Sequence, residues 1–126
     1  SNPILSAIFV LGIFFSYIDS INNNFVYKMA SEFIKQISTV LKMLDSLEKE
    51  YNLIGYNQTE KKVYYTIVMI LDSKDSCNIT DVINLSNLSR STVYKSIKKF
   101  EKNKLLQLDQ SNYDKREFNL TVLVAA

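Results

Sequence analysis

The chain has 126 residues and a net charge of +2, with no histidine, one cysteine and two glycines. That length suffices for one ordinary domain with a real core, or a small domain plus an oligomerisation element, and argues against two full domains. The inventory excludes histidine-based acid–base and zinc chemistry, an internal disulfide, a thiolate cluster and a glycine-rich phosphate loop, so no enzyme, cofactor or metal is expected.

Residues 3–18, PILSAIFVLGIFFSYI, are an apolar run of 16, interrupted by two serines and a glycine and followed at once by Asp19. A bilayer core needs ~20 apolar residues, and a secretory leader needs a basic start and a small-residue cleavage site, neither of which is clear here. The run therefore predicts a helix that is apolar on every side and covered by a second subunit. Insertion in a membrane is the alternative.

Asn22, Asn23 and Asn24 predict a polar break with N-cap chemistry. Beyond it Val26, Met29, Phe33, Ile37, Val40, Leu44, Leu47 and Tyr51 recur at spacings of three and four, a heptad-like seam. Ala30, Ile34 and Leu41 widen that stripe, so a second helix over 24–51 is expected to face both its own domain and a partner, the alternative being a long core helix within a monomer. Glu48, Glu50, Asp72 and Asp75 read as solvated surface charge. Asn57, with Glu60 three positions later, marks the start of a helix over 58–73 that carries Val63, Tyr64, Ile67, Val68, Ile70 and Leu71. Turn-forming DSKDS ends it. Cys77 is expected to be a small buried apolar residue, and 77–79 a short strand edge. A helix of about two turns over 80–85 and a turn at 86–88 complete a helix, turn, helix order.

Ser89 is the N-cap of a helix over 90–103, anchored on one face by Val93, Ile97 and Phe100. Its other positions carry Ser91, Thr92, Tyr94, Lys95, Lys98, Lys99 and Lys102, an array of hydroxyl and ammonium donors. Leu105-Leu106-Gln107-Leu108 then reads as a strand, 109–113 as a polar tip and 117–124 as a return strand, with Asp114, Lys115 and Arg116 on the far arm. Eight positive charges against three negative make residues 88–116 +5, which leaves −3 for the rest of the chain. A basic module in a nearly neutral chain is the electrostatic footprint of a phosphate-binding surface. In such an arrangement Arg90, Ser91, Thr92, Tyr94 and Lys95 are placed for base edges or nearby phosphates of a major groove, Lys98 and Lys99 for phosphate, and Lys115 and Arg116 for the minor groove. Asp114 is expected to orient Arg116 or a backbone amide.

Over residues 58–121 the sequence resembles the winged helix-turn-helix of MarR-type transcriptional regulators, SarA-like relatives included. The resemblance is carried by Leu88-Ser89, Ser91-Thr92-Val93, Phe100-Glu101-Lys102, Leu105-Leu106, Asp114-Lys115-Arg116 and Leu120-Thr121. It implies major-groove or phosphate contacts for Ser91, Thr92, Lys95 and Lys98, a minor-groove contact for Arg116, and homodimers that often answer to small phenolic ligands or oxidants. Three departures stand out. Lys104 replaces the usual glycine, so Asn103 or Lys104 must end the helix, and asparagine tolerates the left-handed conformation better. The return strand is two residues short. The sequence also stops at Ala126 without the C-terminal dimerisation helices that the resemblance implies, so residues 1–54 are expected to supply that interface.

The expectation is a mainly α fold with a small β-wing: a winged helix-turn-helix domain over 55–126, preceded by two N-terminal helices over 1–54 that form a dimerisation element. Double-stranded DNA and a second copy are the expected partners, an effector is unidentified, and the expected location is cytoplasmic. The alternative is a winged-helix adaptor for proteins or membranes, with residues 3–18 as anchor.

Overall fold

The computed structural model describes residues 2–124; Ser1, at the outer end of the expected 1–54 element, and Ala125 and Ala126, at the end of the expected 55–126 domain, lie outside the described residues. Its elements run α1 (Pro3–Glu50), α2 (Gln58–Ser73), α3 (Ile79–Ser86), α4 (Arg90–Lys102), β1 (Leu106–Gln110) and β2 (Phe118–Val122). They separate into two compact units, residues 1–47 and the rest from Glu48 onward.

The first unit lies within α1. The sequence predicts two helices with a break at Asn22 to Asn24, yet α1 runs through all three asparagines without interruption. The physical reason is propensity. Asparagine costs up to ~0.7 kcal/mol more than alanine in a helix interior, less than the ~1 kcal/mol of glycine or ~3 kcal/mol of proline, and the continuing helix absorbs it. None of the residues of α1 is buried, and the apolar seam from Val26 onward is exposed except at Leu44, which is partly covered.

The second unit has an ordinary core. At its start Glu48, in the last turn of α1, accepts hydrogen bonds from the Tyr65 hydroxyl and, at 3.0 Å, from Lys61 Nζ. Asn52 takes the left-handed conformation (φ 60°), which turns the chain so that the Leu53 amide reaches the Glu48 carbonyl at 2.8 Å and Leu53 is buried. The expected start of α2 is present as a full capping box: Asn57 Oδ1 accepts from the Glu60 amide at 2.8 Å, and Glu60 Oε1 accepts from the Asn57 amide at 2.9 Å. A second capping box, Asn78 with Asp81, starts α3 one residue earlier than the sequence predicts.

Val63, Ile67, Val82, Val93, Ile97 and Phe100 are wholly buried where α2, α3 and α4 meet. Phe100 is the centre of the aromatic packing, stacked on Tyr56 (centroids 4.5 Å apart) and tilted against Tyr64 at 5.1 Å. The two strands pair antiparallel, with Leu106 opposite Val122 and Leu108 opposite Leu120. Alternation of period two turns those leucines and Val122 toward the core and leaves Gln107, Asp109, Asn119 and Thr121 exposed. The strand edge expected at 77–79 is reduced to one bridge, Asn78 to Asn119, reinforced by the Leu120 amide donating to the Cys77 carbonyl at 2.7 Å. Cys77 is fully buried, as its composition predicts, and burial pushes its thiol up to about 11.

One local expectation is reversed. The left-handed residue after α4 is Lys104 (φ 62°), not Asn103 (φ −88°). Hydrogen bonding decides it. The Leu105 amide reaches the Phe100 carbonyl at 2.9 Å and the Lys104 amide reaches the Glu101 carbonyl at 3.0 Å, the paired bonds of a Schellman ending. That geometry requires the left-handed turn one position past Asn103. It also seats buried Leu105 beside buried Phe100, and this apolar contact outweighs the ~1 kcal/mol that a side chain costs there.

Candidate nucleic-acid interface

α3, the turn at 87–89 and α4 form a helix-turn-helix, and the β1–β2 hairpin that follows α4 forms the wing. The turn is fixed by Asn87, which takes the left-handed conformation (φ 59°) and donates its amide to the Ile83 carbonyl. Ser89 then caps α4. Its Oγ accepts from the Thr92 amide at 3.2 Å, donates to Thr92 Oγ1 at 2.8 Å and lies 3.2 Å from Ser91 Oγ. Because Thr92 Oγ1 accepts there, its own proton is free for an outside acceptor.

The helix is cleanly two-faced. Val93, Ile97 and Phe100 are wholly buried and Ser96 nearly so, while Arg90, Ser91, Lys95, Lys98, Lys99 and Lys102 are exposed. Thr92 and Tyr94 are half-buried at the edges, Tyr94 with its ring against the core and Arg90 Cζ 6.0 Å from the ring centroid. A row of hydroxyls thus opens the helix and a row of ammonium groups continues it.

Lys99 is not a simple free cation. Its Nζ lies 2.8 Å from Glu60 Oε2 and 3.2 Å from Oε1, and 5.3 Å from the centre of the Tyr56 ring. Tyr56 Oη in turn accepts from Asn103 Nδ2 at 2.7 Å. The hydrogen bond from Lys99, with that from the Asn57 amide and the field of Lys95, holds the Glu60 carboxyl below its ordinary range. Asn57, Thr59, Glu60, Thr92, Lys95 and Lys99 therefore share one open groove between the start of α2 and α4. Sequence pattern reads Glu60 only as a helix-start residue. Its pairing with Lys99, 39 positions away, leaves no local signal.

The wing tip is a second, separate set. Asp114 Oδ1 accepts from the Arg116 amide at 2.9 Å and from Arg116 Nε at 3.3 Å, while the Arg116 side chain remains 92% exposed. Lys115 is exposed, and its carbonyl accepts from Gln110 Nε2 at 2.6 Å, which ties the tip to β1. Tyr113 is fully exposed beside them, an aromatic group that the sequence pattern does not single out. Among the described residues no hydrogen bond or ion pair joins the tip to the α4 face.

No protein-family model matches the sequence, and no curated protein matches it. Solved structures do. BpsR of Bordetella bronchiseptica, whose DNA binding is regulated by 6-hydroxynicotinic acid, is 17% identical; the match covers 70% of this chain and 67% of that one, with a TM-score of 0.46. Heme-free PefR is 27% identical over 70% of this chain and 76% of its own, also at 0.46. A MarR protein from Peptoclostridium difficile is 20% identical over 72% of this chain and 57% of that one, at 0.46. The chain is similar to MarR-type winged-helix regulators. Likeness at this level concerns shape alone.

Proposed function

We propose that the chain is a sequence-specific regulator of transcription that binds double-stranded DNA as a homodimer. The single observation that carries this reading is the two-faced α4, whose wholly buried side fixes it to the core while Arg90, Ser91, Lys95 and Lys98 stand exposed on a segment of net charge +5. In this reading the start of α4 enters the major groove, where Arg90, Ser91, Thr92, Tyr94 and Lys95 meet base edges and phosphates. Lys98 and Lys99 hold phosphate. The wing over 109–117 lies at the minor groove, with Lys115 and Arg116 as its cations and Asp114 holding the Arg116 side chain extended.

The seam from Val26 to Tyr51 supports pairing of two copies, because eight apolar residues at heptad spacing are exposed or only partly covered in one chain. Two recognition helices would then address successive major grooves about one turn, ~34 Å, apart. In this reading the DNA-binding domain works in the cytoplasm. Selection of bound duplexes from a random pool tests the reading directly. A palindromic site with a steep loss of affinity in rising salt is expected, since several phosphates per subunit release counterions. A salt-independent affinity, or no enrichment, refutes it.

A further inference from the structure

We infer that the first part of α1, about residues 3–21, is inserted in a lipid bilayer, so that the DNA-binding domain is held at the membrane surface. The starting observation is angular. Successive helical residues are ~100° apart, so Ile8, Phe9, Val10 and Leu11 alone point to every side of the helix. All four are more than half exposed, as are Ile13, Phe14 and Phe15. An 18-residue window in α1 has a mean hydropathy of 2.0 and no buried residue.

A second copy cannot account for this segment. Pairing two helices covers one stripe on each, and the later part of α1 is built for that: its apolar seam is backed by Lys28, Glu32, Lys35, Lys42 and Asp45. The first part has no polar back. Between Pro3 and Ile18 there is no charged residue, and the only polar side chains besides Tyr17 are Ser6 and Ser16, whose hydroxyls a helix can satisfy through its own carbonyls. What covers all sides of a helix at once, without a specific partner, is hydrocarbon.

Length and flanks agree. The 16 residues from Pro3 to Ile18 span ~24 Å, ~6 Å short of a hydrocarbon core of ~30 Å, a mismatch that a bilayer absorbs by local thinning. Asp19 and Asn22 to Asn24 then fall at and beyond the headgroup zone, with exposed Tyr17 at interfacial depth. The anchor lies within residues 3–21 alone and does not depend on whether the domain binds DNA.

The test is flotation of the full chain, tagged at its C-terminus, with neutral phosphatidylcholine vesicles, followed by an alkaline carbonate wash. Co-flotation that survives the wash and high salt is expected. Replacing Leu11→Arg and Phe14→Arg together should abolish it, because two charges at mid-bilayer oppose insertion, and no packing within the DNA-binding domain is touched. Leu41→Arg, in the seam, should leave flotation unchanged. Four results each overturn the inference: a chain soluble without detergent as a defined oligomer, release by salt or carbonate, flotation unaffected by the double substitution, or loss of the segment by cleavage in cells.

Discussion

Replacing Glu60 by glutamine separates the charge of this residue from its place in the fold. The amide oxygen introduced by Glu60→Gln can still accept from the Asn57 amide, and a glutamine completes a capping box as well as a glutamate does. What disappears is the ion pair with Lys99, in which the Lys99 side chain is 48% exposed and that of Glu60 12%, so that solvent screens it from the lysine side. Exposed pairs are worth ~0.2–1 kcal/mol, so Glu60→Gln should cost about 0.5 kcal/mol at neutral pH. The pH dependence has a definite sign. Because the folded carboxyl titrates below its ordinary value, its contribution is complete above that value of 4.5 and is lost as pH falls through the depressed one. The gap between wild type and variant should therefore close in acid.

The effect on DNA should run the other way. The substitution removes an anion from the groove that Lys95 and Lys99 share and frees the Lys99 ammonium. One additional phosphate contact on each of the two subunits steepens the slope of log affinity against log salt by ~1.8, which at ~0.1 M salt corresponds to about a sixtyfold gain relative to the 1 M reference. Titrating a selected duplex between ~0.05 and 0.3 M salt measures both quantities. If Glu60→Gln leaves slope and affinity unchanged while Lys98→Ala lowers both, the groove does not face phosphate and Lys99 is a structural cation only.

Lys98→Ala should weaken binding equally on all duplexes and reduce the salt slope of the dimer by about two, one per subunit, whereas Lys99→Ala should do so by less, since Glu60 already neutralises it. Arg116→Ala should cost on the order of 1–3 kcal/mol and lessen any preference for A·T-rich flanks, read by competition between duplexes differing only outside the major-groove contacts. Lys104→Gly should raise stability by ~1 kcal/mol in denaturant titration by relieving a left-handed side chain, with DNA binding unchanged. Cys77 should resist thiol reagents in the folded protein and react on unfolding. Its raised folded value means that the stability it contributes is full below pH 9.0 and is lost as pH rises toward about 11, a decline measurable by unfolding at a series of alkaline pH values.

The sequence is legible here to the extent that the deciding forces are local. Asn57 and Ser89 announce the starts of α2 and α4 because a cap is a contact over three residues, and Val93, Ile97 and Phe100 announce the buried face of α4 because helical spacing repeats within a few turns. Where two local rules compete, a longer-range term decides. Asparagine is the better left-handed residue than lysine, yet Lys104 takes that conformation because the buried contact of Leu105 with Phe100 fixes where the turn must fall. At Asn22 to Asn24 the difference is of another kind: cap-forming residues suggest a boundary, although a cap stabilises an end only where something else stops the helix. The ion pair of Glu60 with Lys99 lies beyond any pattern argument, because the fold of α2 against α4 brings those positions together. This bears on how the candidate interface is composed. A count of charges gives +5 to residues 88–116, but a neighbouring element supplies a carboxylate to one of those cations, so the exposed ammonium groups of Lys95 and Lys98 are the ones whose removal should be felt most by a polyanion.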